Sequence, residues 1–315
     1  MGIELRVVEA QGLYQSQVLD HLIHQTLIQK SPDLDVVLHL NVILKLLFEL
    51  ADQKKIPWVC AGYHAIRWDD PASQSAGLSK GSETLRDQAY LLYGLHEKKL
   101  SRLHLPCGSI PDRMLAKLTE ETELSDYFSN HSGDLASKNR NLLNSEEELL
   151  LLQAVLPPNY KVAGTIRDLQ GAVIGSHEGL YRYRYGQRKG LKIETENSEN
   201  LCVLGFDFKH QALIVGSDQY LYQQEARLKN LNWLSSAFRT QTAVRGLKCK
   251  VGFAPGRELP QNVGALVTVF EGGRASLEFA QPLRGLSPGQ TRCVYQKMRY
   301  WGGAVIDKLG PIPAP

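Results

Sequence analysis

At Pro157-Pro158 the periodicity of the chain changes, and with it the kind of layer each half can build. Upstream, residues 13–29, 85–95, 111–122 and 145–155 carry helical spacing, and residues 38–51 are apolar all round, as in a buried helix. Residues 4–8 and 58–62 read as strands, and residues 69–82 as a polar loop. Downstream come short alternating runs separated by glycine turns. Residues 171–193, 201–208 and 212–216 form one group; residues 243–253, 265–270, 275–279 and 292–295 form another, which reads as a small barrel. The sequence therefore predicts a mixed α/β part followed by β structure.

The formal net charge of +3 hides a division that follows the same boundary. Residues 1–160 hold 15 Lys and Arg against 21 Asp and Glu, and residues 161–315 hold 21 against 12. A basic half is the footprint of a nucleic-acid surface, although an acidic protein partner accounts for the same asymmetry. No apolar run has membrane length, so no membrane is expected as a partner. The five cysteines, Cys60, Cys107, Cys202, Cys249 and Cys293, form no CxxC pair, which fits a reducing compartment better than a disulfide framework or zinc knuckle. The start, MGIELRVV, has neither a signal peptide's apolar core nor a transit peptide's character, so the expected location is the cytoplasm.

Residues 174–193, IGSHEGLYRYRYGQRKGLKI, concentrate the positive charge. Arg182, Arg184, Arg188, Lys189 and Lys192 can meet phosphates, Gln187 can add a polar contact, and Tyr181, Tyr183 and Tyr185 can stack on bases or pack. The plainer alternative makes Gly175, Gly179, Gly186 and Gly190 turn residues and the tyrosines the packing of a small sheet. His177 reads as a hydrogen-bonding structural residue, the nine histidines show no HxxxH or HExxH spacing, and Glu146, Glu147 and Glu148 read as a helix start. No metal and no cofactor is assigned.

Residues 171–191 closely resemble the GxxxGxHxGLxxYTxGQRKGL segment of the tRNA-specific 2-thiouridylases, which place sulfur on the wobble uridine of certain tRNAs. Residues 277–290, LEFAQPLRGLSPGQ, resemble that family's FxxPQRAVTPGQ, and residues 300–306, YWGGAVI, its CLGGGxI strand. In the first half LNVILKL (40–46) resembles CNxxIKF, CAGYHA (60–65) resembles ATGHYA, and RDQAYLL (86–92) resembles KDQSYFL, in matching order and spacing. The resemblance covers nearly the whole chain. It implies a fold of class α/β plus β, with a partial Rossmann-like (adenine nucleotide alpha hydrolase-like) domain over residues 1–157. A small central β-rich, tRNA-binding-like domain over 158–236 and a C-terminal β-barrel over 237–315 would follow.

The departures are as specific as the matches. The family's SGGxDS phosphate loop, which cradles ATP during adenylation of the uridine, occurs nowhere in the 315 residues, and MGIELRVV resembles a later strand of that domain. Leu40 stands where the family has its first working cysteine, and Ala136, in SGDLAS (132–137), aligns with the second. Asp33 and Asp35 lie near the family's aspartate but out of register, and the family's His-Tyr is inverted to Tyr63-His64. Cys60 and Cys107 read as inert packing residues rather than relocated nucleophiles.

The sequence reading is therefore a catalytically degenerate thiouridylase homologue, N-terminally truncated, that binds tRNA or another structured RNA without thiolating it. Whether it is an enzyme stays open; the family activity would be ATP-dependent transfer of sulfur to tRNA uridine. Three alternatives stand: one half of a split thiouridylase, a structural subunit of a larger ribonucleoprotein or protein assembly, or a truncated gene product. A sheet edge left open in the first domain would invite a protein partner to cover it.

Overall fold

The computed structural model describes residues 4–70, 75–82, 87–111, 113–114, 117–118, 121, 145–194, 200–234, 245–252 and 263–310. The first helix, α1 (11–27), contains a π turn at Gln15–Leu19, and the second, α2 (34–53), one at His39–Ile43. Only one face of α2 is buried, through Val36, Val42, Leu44, Phe48 and Ala51, while Leu47 is exposed, so the apolar composition of 38–51 overstates its burial. Lys55, in the left-handed region at φ 57°, ends the helix. Arg102 then holds the following turn, donating to the carbonyls of Ile56 and Pro57 and pairing with Asp52 at 2.6 Å.

Strand β1 (Val59–Cys60) pairs in parallel with a strand at Leu103–His104, and among the described residues nothing pairs with its other edge. Residues 4–8, expected as a strand, carry no strand pairing among the described residues, and Leu5, Val7 and Val8 are exposed. Strand propensity is present there, but a neighbouring ladder is not. The supposed polar loop is a hairpin instead: β2 (Ala65–Asp70) pairs antiparallel with β3 (Ser75–Lys80). Its small residues allow close approach, since a Cβ at Gly77 would lie 2.3 Å from the Trp68 ring. The expected helix at 85–95 is reduced to a 3-10 turn at Ala89–Leu92, whereas within the expected helix at 111–122, of which half the residues are described, 113–114 and 117–118 are helical. Leu103–His104 is β4.

After α3 (Ser145–Val155), strands β5 (Gly164–Arg167), β6 (Val173–His177), β7 (Leu201–Asp207) and β8 (Ala212–Ser217) form a sheet in the order β6-β5-β8-β7 around Ile166, Val203, Leu213 and Val215. The remaining strands are β9 (Gln223–Trp233), β10 (Leu247–Gly252), β11 (Val263–Phe270), β12 (Arg274–Leu283), β13 (Thr291–Gln296) and β14 (Arg299–Leu309). They close into a six-stranded barrel in the order β13-β10-β11-β12-β9-β14, with β13 pairing β14. Alternate residues such as Val263, Ala265, Val267 and Val269 fill its core. Strand β9 lies within residues 158–236, yet it pairs on both sides with barrel strands. The boundary at residue 236 comes from the resemblance, and the sequence reading names no strand over 223–233, where polar residues mask the alternation.

The first part is joined to the barrel at several points. The β2–β3 hairpin extends the barrel sheet through Ser79 and Leu78 opposite Arg299 and Tyr300. Lys30 pairs with Asp307 at 2.7 Å, Asp33 accepts the Thr291 N–H at 2.6 Å, and the Asn232 amide donates to the Tyr93 carbonyl. Among the described residues no helix is long and apolar enough to cross a membrane.

Candidate nucleic-acid interface

The segment from β6 to Ile193 is a loop pinned to the central sheet at several points. His177, at its base, is buried: Nδ1 accepts the Gly179 N–H at 3.1 Å and Nε2 donates to the Gln211 carbonyl at 3.0 Å. Burial holds its imidazole below the ordinary pKa, with the Gln211 bond opposing. Gly179 then turns the chain at φ 136°, where a Cβ would stand 2.7 Å from the Tyr181 ring. Further on, the Gly186 N–H donates to the Val203 carbonyl at 2.8 Å, the Val203 N–H donates to the Gln187 carbonyl at 3.0 Å, and Ile193 bridges back to Gly175.

The three tyrosines point into three different clusters. Tyr181 is buried with Leu22, Leu152 and Leu156, so it ties α1 and α3 to the central sheet. Tyr183 is buried with Ile166, Val203 and Leu213 and lies edge-on to His177. Tyr185 is half-buried against Cys202, Leu204 and Leu221. Of the two roles open to these rings in the sequence, Tyr181 and Tyr183 take packing: a base could reach their faces only by displacing core contacts. Gln187, expected as a polar RNA contact, uses its amide inside the loop, accepting from the Arg184 N–H and donating to the Lys189 carbonyl, both at 3.0 Å. It shapes the turn that presents its charged neighbours.

The cations are arranged differently. Arg182, at 3.9 Å, and Lys192 converge on Glu178; Arg184 reaches Glu148 of α3 at 2.6 Å; Arg188 pairs with Asp218; Lys189 is exposed. Four of these five cations thus share three carboxylates. The Lys192 bond pulls the Glu178 carboxyl below its usual range, and Glu178 in turn raises the Lys192 ammonium. Solvent screens such exposed pairs strongly, so they orient the side chains without neutralising the face against a polyanion. Arg284, just beyond β12, also approaches Asp218, at 3.7 Å. Sequence reasoning missed it because it lies nearly a hundred residues from the basic segment.

At the positions where the resemblance places sulfur chemistry, Leu40 packs against the core that contains Phe48, Leu92 and Leu103. Ala136 lies outside the described residues. Cys202, Cys249 and Cys293 are buried, and burial raises each thiol, Cys249 to about 12. Cys107 is partly buried, whereas Cys60 is exposed, not the packing residue its apolar surroundings suggested. Two-residue alternation turns Val59 inward and Cys60 outward, onto a cleft of about 440 Å³ that Arg67 and His104 also line. Among the described residues no group of three or more His, Cys, Asp or Glu could hold a metal ion.

Three family descriptions match the chain in succession: tRNA methyl transferase HUP domain over residues 1–136, tRNA methyl transferase PRC-barrel domain over 151–217, and Aminomethyltransferase beta-barrel domain over 223–306. The fold is therefore that of a tRNA-modification protein built from a Rossmann-like part, a PRC barrel and a closed β-barrel. The tRNA-specific 2-thiouridylase MnmA of Magnetococcus marinus (strain ATCC BAA-1437 / JCM 17883 / MC-1) is 30% identical over 310 residues, covering 97% of this chain and 81% of that protein. Those of Shouchella clausii (strain KSM-K16) and Synechocystis sp. (strain ATCC 27184 / PCC 6803 / Kazusa) are 28% and 29% identical, over 98% and 97% of this chain and 81% of each relative. The chain belongs to the tRNA-specific 2-thiouridylase family.

Proposed function

We propose that this chain binds tRNA through the basic face of residues 182–192 and does not thiolate it unaided. The observation that carries the reading is the pairing of an exposed cationic face with an apolar, core-packed Leu40 at the position of a working cysteine. Nucleophilic sulfur transfer needs an accessible thiolate, and the three buried cysteines have their thiols raised by burial, which removes them from that role at neutral pH. Within this reading residues 1–157, 158–222 and 223–315 act as three units, and no SGGxDS loop serves ATP. The test is expression in a thiouridylase-null bacterial strain with mass spectrometry of wobble uridines: 2-thiouridine stays absent, and its return with no second protein supplied refutes the reading.

A second reading draws on the edge of β1 with which no described residue pairs and on the exposed Leu5, Val7 and Val8. A two-stranded parallel sheet is marginal by itself, and parallel sheets are normally covered on both faces. A protein partner that adds a strand to this edge, as in the split-enzyme or scaffold alternatives, would complete it. Co-purification from the native source in fixed stoichiometry tests this, and a monomeric native protein argues against it.

A further inference from the structure

The Asp218 carboxylate sits between two guanidiniums that come from different parts of the fold. Arg188 belongs to the loop after β6 in the central sheet, and Arg284 follows β12 in the barrel. All three side chains are partly open to solvent, at 44%, 38% and 32% relative exposure for Arg188, Asp218 and Arg284. Two positive charges therefore face one negative charge at an accessible seam. The Arg284 Nε is itself buried and has no hydrogen-bond partner among the described residues; its approach to Asp218, at 3.7 Å, is too long to be one. An unsatisfied buried N–H is costly, and a guanidinium presents its donors in a fork suited to phosphate oxygens.

We infer that Arg284 and Arg188 form a phosphodiester-binding subsite across the seam between the central sheet and the barrel, with Asp218 holding the two guanidiniums in position until an RNA phosphate takes its place. The inference rests on the reading of the basic face as an RNA surface and extends it beyond the central domain. A phosphate that displaces the Asp218 carboxylate, being larger and carrying more acceptor oxygens, can close the 3.7 Å gap to the Arg284 Nε–H while it bridges both guanidiniums, so RNA seated there would touch the two units at once. Asp218 then acts as a competitor for the site, which gives its removal an effect opposite in sign to removal of either arginine.

The experiment measures binding of a fluorescein-labelled tRNA transcript to the full chain by anisotropy at several salt concentrations. Arg284→Ala is expected to weaken binding roughly three- to tenfold and to flatten the log–log salt slope by about 0.7–0.9. Asp218→Asn is expected to tighten binding roughly fivefold, because two competing ion pairs are removed. Arg274→Ala, an exposed arginine at the other end of β12, serves as the control and leaves the slope unchanged. If wild type binds with a salt slope but Arg284→Ala matches it, or Asp218→Asn weakens binding, the subsite is overturned while the basic-face reading stands. If wild type shows no salt-dependent binding at all, both fall. Thermal melts confirm folding, and Arg284→Ala is expected to melt with wild type because its Nε gives up no hydrogen bond.

Discussion

Replacing Asp87 by alanine tests how the first part of the chain is held to the barrel. The carboxyl is 6% exposed and accepts three donors: the Tyr300 hydroxyl at 2.6 Å, the Ala89 N–H at 3.1 Å and the Gly81 N–H at 3.4 Å. Tyr300 lies on β14 and Gly81 just after β3, so this one side chain ties together the strands where the hairpin joins the barrel sheet. Truncation leaves a buried hydroxyl and two N–H groups without that acceptor. Each orphaned group costs about 1–3 kcal/mol. With three such groups we expect a loss of about 4 kcal/mol, which lowers the melting temperature by roughly 10 °C. Tyr300→Phe removes a single donor and should cost about 1–2 kcal/mol. The double variant should fall short of additivity by at least about 0.5 kcal/mol, because both changes break the same bond.

The assay is urea unfolding of the four proteins with thermal melts as a check. Burial raises the Asp87 pKa, and the Tyr300 and Ala89 bonds oppose that shift. The folded state thus binds the proton more tightly than the unfolded chain, and this group's contribution to stability falls as pH rises from about 3.9 through the folded value. Asp87→Ala removes that component of the pH profile. A variant that melts within about 2 °C of wild type refutes the argument, since it would mean the donors find other acceptors at little cost.

Isothermal titration of the isolated chain with ATP should show no micromolar binding, because no SGGxDS segment is present, and a saturable heat of binding refutes this. Because burial lowers the His177 pKa, the imidazole stabilises the fold when neutral, and its contribution is lost as pH falls from about 6.5 towards the folded value. His177→Gln should therefore flatten the stability profile below about pH 6.5, and an unchanged slope counts against the assignment. Reversing Arg182, Arg184, Arg188 and Lys189 to glutamate should abolish tRNA binding in a gel-shift assay while the far-UV spectrum stays native; retained binding makes the segment purely structural.

Local order was legible in the sequence where the signal is itself local. The alternation of β11, the helix opened by Glu146, Glu147 and Glu148, the glycine turns around Gly179 and Gly186 and the structural role of His177 follow from neighbours a few residues apart. The family motifs, too, are short runs, so membership could be read before any contact was known. What the sequence could not decide depends on partners distant in the chain. Residues 4–8 have the composition of a strand but no ladder, whereas β3 and β9 look polar or weak and become strands because β2, β14 and β12 flank them. Tyr181 and Tyr183 sit among the arginines in sequence and are buried in separate cores, because the turn at Leu180–Arg182 sends alternate side chains inward. The charges follow the same rule. Their number was fixed by composition, but only the tertiary fold brought Arg284 to Arg188 around one carboxylate, since Coulomb interaction depends on separation in space rather than along the chain.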